Sequence, residues 1–189
     1  MGYCSRARAS ELIRAGRVAL NGKLRRDPET PVHLPTDCIE VDGNPIAAAR
    51  KIYVVLNKPR GLVTTTSDEH GRHTIYKCLS PDLPWLAPVG RLDKASEGLL
   101  LLTNDSEWAA RVLHPESHLD KTYHVQIAAP PDQETVQSLR QGIPTAEGDL
   151  LRVRDVRILR QGQRNAWLEV VLDEGKNRQI RRMLGECAN

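Results

Sequence analysis

A charged, glycine-bounded loop runs directly into the most apolar stretch of the chain: Gly90-Arg91-Leu92-Asp93-Lys94-Ala95-Ser96-Glu97-Gly98-Leu99-Leu100-Leu101-Leu102-Thr103-Asn104-Asp105. A loop that runs straight into so apolar a stretch is expected to be anchored on a buried element. The run is far short of the ~20 residues that span a bilayer, and the amino-terminal residues lack the apolar stretch of a signal peptide. A second apolar run, Ile52-Tyr53-Val54-Val55-Leu56, reads as a strand halted by Asn57-Lys58-Pro59-Arg60-Gly61. Residues 122–127 and 166–172 alternate as strands, while 133–141 and 178–184 have helical spacing. Strands follow one another without a regular helix between each pair. That order argues for an α+β fold and against a doubly wound parallel sheet.

The amino-terminal residues read differently. Residues 5–15 suit a short basic helix with Ser5 as its cap and Gly16 at its stop. Val18 and Leu20 alternate before the turn pair Asn21-Gly22, and Ile39 and Val41 alternate before Asp42-Gly43. This predicts a small helix-plus-hairpin unit over residues 1–48, with a larger domain over 51–189. Charge separates the two: seven cations among the first 26 residues face the single carboxylate Glu11, a local net of +6 in a chain of net +3. A basic end of this kind suits a polyanionic partner, against the alternative of a solvated charged face.

Chemistry is carried by few residues. Asp93 lies between Arg91 and Lys94, and neighbouring cations keep a carboxylate ionised, as a nucleophile or base requires; a salt-bridge partner looks the same in sequence. Other acidic pairs, Asp68/Glu69, Asp105/Glu107 and Asp173/Glu174, read as surface carboxylates. The phosphate-binding patterns G-x-x-x-x-G-K-[ST] and G-x-G-x-x-G are absent, so no nucleotide cofactor is expected. Cys4, Cys38, Cys78 and Cys187 form no C-x-x-C pair and read as isolated thiols in a reducing cytoplasm. His70 and His73 with Cys78, or His114 and His118, have helical spacing, but Gly71 and Pro115 interrupt it and no metal site is expected. In Glu174-Gly175-Lys176-Asn177-Arg178-Gln179-Ile180-Arg181-Arg182-Met183, the apolar residues can face a core while the arginines serve phosphate contacts or a solvated face.

Taken in order, Leu56-Asn57-Lys58-Pro59-Arg60-Gly61, Gly90-Arg91-Leu92-Asp93 with Glu97-Gly98-Leu99-Leu100, Lys121-Thr122-Tyr123 and the 174–183 segment resemble a bacterial ribosomal-RNA pseudouridine synthase of the RsuA type. The stretch from Gly2-Tyr3-Cys4-Ser5-Arg6 to Val18-Ala19-Leu20-Asn21-Gly22-Lys23 resembles the S-four-type RNA-binding module of a ribosomal small-subunit protein. The resemblance implies a small helix-plus-hairpin module followed by a mixed, mainly antiparallel sheet with flanking helices. It implies site-specific isomerisation of uridine to pseudouridine in ribosomal RNA without a cofactor: N1–C1′ breaks, uracil turns, and C5–C1′ forms.

By the same resemblance, Asp93 attacks C1′ or otherwise promotes glycosidic cleavage. Tyr123 packs on the detached uracil, and Arg181 pairs with the aspartate. RNA contacts fall to Arg6, Arg8, Arg14, Arg17, Lys23, Lys58, Arg91, Lys121, Lys176, Arg178 and Arg182. The family's module has a further helix before residue 2, and its catalytic domain has further strands after residue 185, so both are expected to be incomplete here. The implied partner is ribosomal RNA or a ribosomal assembly intermediate, met in the cytoplasm with no membrane association; a monomer is the default expectation, since oligomeric state is not legible in the sequence. The alternative is an RNA-binding protein without catalysis.

Overall fold

The computed structural model describes residues 2–34, 36–47, 49–66, 68, 71–145 and 148–187. By contact density the chain forms two compact units, Met1–Leu113 and His114–Asn189, a division that falls within the segment expected as one catalytic domain.

The first unit opens with α1 (Arg6–Arg14), capped by the Ser5 hydroxyl, which accepts from the Arg8 N–H, and closed beyond Ala15 at Gly16. Then come β1 (Val18–Leu20), β2 (Lys23–Arg25), β3 (Ile39–Val41) and β4 (Asn44–Pro45), a four-stranded sheet in the order β2-β1-β3-β4. Its two tight turns, Asn21-Gly22 and Asp42-Gly43, have positive φ at both central residues, the geometry whose twist matches antiparallel strands. Leu12, Leu20 and Val41 are its buried side chains. The expected hairpin is present and is extended, since β1 also pairs with β3.

The same unit contains β5 (Tyr53–Lys58), β6 (Ala87–Val89), β7 (Gly98–Thr103) and α2 (Ser106–Leu113), with a 3-10 turn at Ile75–Cys78. The central strand β7 pairs antiparallel with both neighbours, from Tyr53↔Thr103 to Lys58↔Gly98 on one side and from Ala87↔Thr103 to Val89↔Leu101 on the other. Leu100 and Leu102 point into a core with Ile75 and Leu86, joined by Val54 and Leu56. Each such leucine contributes roughly 1.5–3 kcal/mol when fully buried, enough to make β7 a rigid support. The Asp105 carboxylate caps α2 by accepting from the Trp108 N–H at 3.1 Å. It also accepts from the Tyr53 hydroxyl at 2.8 Å and pairs with Lys51 at 2.9 Å.

The second unit contains β8 (Lys121–Ile127), α3 (Gln133–Gln141), β9 (Ile143–Pro144), β10 (Leu150–Leu151), β11 (Asp155–Gln161), β12 (Ala166–Leu172) and α4 (Gln179–Glu186). Its three-stranded antiparallel sheet has the order β11-β12-β8. The buried side of β12 (Ala166, Leu168, Val170, Leu172) meets Leu139 of α3 and Met183 of α4. Tyr123, Ile180 and Leu184 pack against this cluster. The α+β expectation therefore holds. Pairing within the sheets is antiparallel throughout the described residues, with one parallel bridge, Val63↔Thr74.

Candidate active site

Asp93 lies in the loop between β6 and β7, half-buried, with Arg91 and Lys94 exposed beside it. Gly90 and Gly98 bound the loop at φ of +82° and +126°, conformations that residues with a Cβ rarely adopt. The backbone between them is held by the segment that follows β5. The Lys58 side chain has no exposed surface, and its ammonium donates to the carbonyl oxygens of Ser96 at 2.8 Å, Asp93 at 3.0 Å and Pro59 at 3.2 Å. The Gly61 N–H donates to the Lys94 carbonyl at 2.7 Å. The Thr64 hydroxyl donates to the Leu92 carbonyl at 2.8 Å and accepts from the Leu92 N–H at 3.3 Å. The Ser96 N–H closes a turn onto the Asp93 carbonyl. Burial pushes the Lys58 ammonium below its ordinary pKa, and the nearby Asp93 carboxylate opposes that shift. The expectation that Lys58 contacts RNA is thus corrected: its donors are spent on three carbonyls inside the protein. Arg60 of that segment is exposed and pairs with Glu97 at 3.2 Å.

Tyr123 and Arg181 lie in the second unit. Tyr123 is half-buried in β8 against the core, and Arg181 is exposed on α4. The basic loop ahead of α4 is organised by a buried residue that sequence reading assigned no role. Gln179, 2% exposed, donates to the Glu174 carboxylate at 2.7 Å and to the Arg152 carbonyl at 2.8 Å, while its own carbonyl accepts from the Lys176 N–H at 3.2 Å. Arg178 enters the helix with φ +49°, and Lys176, Arg178 and Arg181 face solvent. The only signal for Gln179 in the sequence was a polar residue beside Ile180 at the start of an amphipathic helix.

The remaining candidates separate by what they touch. Arg17 forms a bidentate bridge to Asp42, with Nε–Oδ1 at 2.8 Å, and Arg8 pairs with Glu11 at 2.9 Å. Arg6, Arg14 and Lys23 are exposed and form no salt bridge among the described residues. Lys121 donates to the Leu119 carbonyl at 3.1 Å. Arg182, whose side chain is 23% exposed, donates to Asp149 at 2.8 Å and Thr145 at 3.2 Å. A cavity of about 270 Å³ in the first unit is lined by Leu12, Ile13, Val18, Ile39 and Val41, and none of the catalytic candidates borders it.

Of the carboxylate pairs expected at the surface, Asp68 and Asp105 instead have buried side chains, bonded by Arg72 and by Lys51 and Tyr53, while Glu69 lies outside the described residues. His70 lies outside them as well. The His114 ring accepts from the Glu116 N–H at 3.3 Å and caps a short turn. Among the described residues no three His, Cys, Asp or Glu side chains are grouped to hold a metal ion. No helix among them is long and apolar enough to cross a membrane.

The family model for RNA pseudouridylate synthase matches residues 52–186, and that of the S4 domain matches residues 1–37. The chain belongs to the RNA pseudouridylate synthase family. A relative from Aquifex aeolicus named as an uncharacterized RNA pseudouridine synthase is 39% identical over 97% of this chain and 74% of its own length. Ribosomal large subunit pseudouridine synthase B of Bacillus subtilis is 35% identical over 96% of this chain and 75% of its own length. A crystal structure of a pseudouridylate synthase superposes over 98% of this chain and 78% of that chain, with a TM-score of 0.66 and 27% identity. This pseudouridine synthase is accordingly an isomerase acting on RNA, with an amino-terminal S4 domain.

Proposed function

We propose that this pseudouridine synthase converts one uridine of ribosomal RNA to pseudouridine, using Asp93, Tyr123 and Arg181 together. The observation that carries the reading is the backbone of Asp93, fixed by buried Lys58 and braced on both sides by Gly61 and Thr64. A loop held this way presents its carboxylate without rearrangement, which is where much of an enzyme's rate advantage originates.

Uridine leaves its stack and enters the pocket, at a cost of a few kcal/mol that Tyr123 offsets by packing on the base. The chemistry requires a carboxylate with an opposing charge beside it, a role that the family resemblance gives to Arg181. N1–C1′ breaks with the aspartate as nucleophile or base, uracil turns, C5 bonds to C1′ as any aspartate–C1′ bond breaks, the C5 proton leaves to solvent and N1 takes one up. The product has the atoms of the substrate, so no oxidant, reductant or co-substrate enters.

The functional division falls between residues 1–48, which attach to structured RNA through phosphate and shape, and 51–189, which carry the reaction. The protein works as a monomer in the cytoplasm, on ribosomal RNA or an assembly intermediate. Transcripts of ribosomal RNA tritiated at uridine C5 test the reading. Parent protein should release one equivalent of tritium at a single position; binding without release would leave an RNA-binding protein that does not catalyse.

A further inference from the structure

An arginine-rich edge strand on the second unit has no part in the proposed site. Residues 152–164 hold five arginines, at 152, 154, 157, 160 and 164, against the single carboxylate Asp155. They cover β11, the edge of the sheet, and the turn into β12, and every residue of β11 except Val156 is exposed. Successive side chains of a regular strand alternate between faces, which would send Arg157 and Arg160 to opposite sides. The register shift between Ile158 and Arg160 cancels that alternation: Arg157 pairs across from Glu169 and Arg160 from Trp167, two residues on one side of β12. The bulge thereby gathers both arginines on the face turned away from the core.

The two arginines are used differently. Arg157 is committed to Glu169 at 2.6 Å and neutralises that carboxylate, with the His124 ring 3.2 Å from its other oxygen. Arg160 stacks its guanidinium on the Trp167 ring, 4.7 Å from the centroid. A stacked guanidinium keeps its N–H edge free in the ring plane, and stacking removes side-chain freedom that a phosphate contact would otherwise cost. Arg164, in the turn, is exposed and forms no salt bridge among the described residues. We propose that the β11–β12 hairpin, through Arg160 stacked on Trp167 and through Arg164, is a second RNA-binding surface that grips phosphates of the ribosomal RNA away from the target uridine. Charge selects this partner: a stacked arginine and a free one beside a neutralised carboxylate match a phosphate backbone and repel a basic protein surface.

This inference rests on the proposed ribosomal-RNA substrate, and the test separates the two. A fluorescently labelled transcript of a ribosomal RNA domain is titrated with parent, with an Arg160→Ala/Arg164→Ala double variant, and with the Arg160→Lys/Arg164→Lys counterpart, over ~50 to 200 mM salt, a range in which phosphate contacts weaken steeply. Thermal unfolding checks that each variant is folded. The slope of log affinity against log salt should fall by about two in the alanine variant, about one for each phosphate contact, and should largely survive in the lysine variant. An alanine variant that keeps the parent slope overturns the second surface while leaving the proposed function standing. A parent that binds no ribosomal RNA overturns both.

Discussion

The ammonium of Lys58 donates to the carbonyl oxygen of Asp93 at 3.0 Å from a position with no exposed surface. One buried cation thus fixes the main chain of the residue expected to carry the chemistry, and through Ser96 and Pro59 it ties the loop after β5 to the loop before β7. Isolated buried ammonium groups are costly. This one is tolerated because three carbonyl dipoles converge on it.

Lys58→Met keeps the stem and removes the donors, leaving three inward carbonyls without that partner. Destabilisation of roughly 2–4 kcal/mol is expected, given ~1–3 kcal/mol per unsatisfied buried group and partial relief from no longer burying a charge. Under conditions where the variant remains folded, kcat should fall about ten- to a hundredfold, because the Asp93 carboxylate is no longer placed. Thermal unfolding together with single-turnover kinetics measures both; unchanged values would show that the clamp is dispensable.

Arg6→Ala/Arg14→Ala/Lys23→Ala should weaken RNA binding and flatten its salt dependence by up to about three units of slope. Arg17→Ala should act in the other way, lowering the unfolding temperature of the amino-terminal module by breaking the bridge to Asp42 while moving the slope less. Equal slope changes from the two sets would mean that Arg17 leaves Asp42 to reach the RNA.

Lys51 first, then the Tyr53 hydroxyl and the Trp108 N–H, hold the Asp105 carboxylate well below the usual carboxylate range. A folded pKa beneath the unfolded value of ~3.9 means stability that is present above about pH 4 and lost as the pH falls through the folded value. Asp105→Asn should therefore be less stable than parent at neutral pH, with a gap that narrows under acid. Urea midpoints across that range decide it: a gap independent of pH would assign the loss to packing alone.

Gln179→Leu should retain most of the packing of α4 yet release Glu174 and the Lys176 N–H. The loop bearing Lys176 and Arg178 then loses its shape, and KM for RNA should rise several-fold. Retention of parent kinetics would make Gln179 a satisfied core residue and nothing more.

Local signals carried well where neighbours in sequence decide the geometry. The turn pairs Asn21-Gly22 and Asp42-Gly43 are the turns of the amino-terminal sheet, and the helix over 133–141 and the strand over 166–172 have the expected ends. β11 was invisible because its bulge breaks the two-residue period and its side chains are mostly polar and exposed. Lys58 was misread because a lysine next to Pro59 and Arg60 looks like a surface cation, and only tertiary folding brings the carbonyls of 93 and 96 around it. The ion pairs of Arg17 and Arg182 are equally invisible in sequence, because their partners, Asp42 and Asp149, are 25 and 33 residues away. The catalytic assignment of Asp93, Tyr123 and Arg181 came from motif resemblance, since nothing local distinguishes a nucleophilic aspartate from a salt-bridge partner.

Pseudouridine mapping of ribosomal RNA addresses the central claim most directly, in cells lacking this protein and complemented with either parent or Asp93→Asn. The account predicts one uridine that stays unmodified in the deletion and in the Asp93→Asn strain and is restored by parent, with the Asp93→Asn protein still binding the RNA. Restoration by Asp93→Asn would contradict the assignment of the chemistry to Asp93.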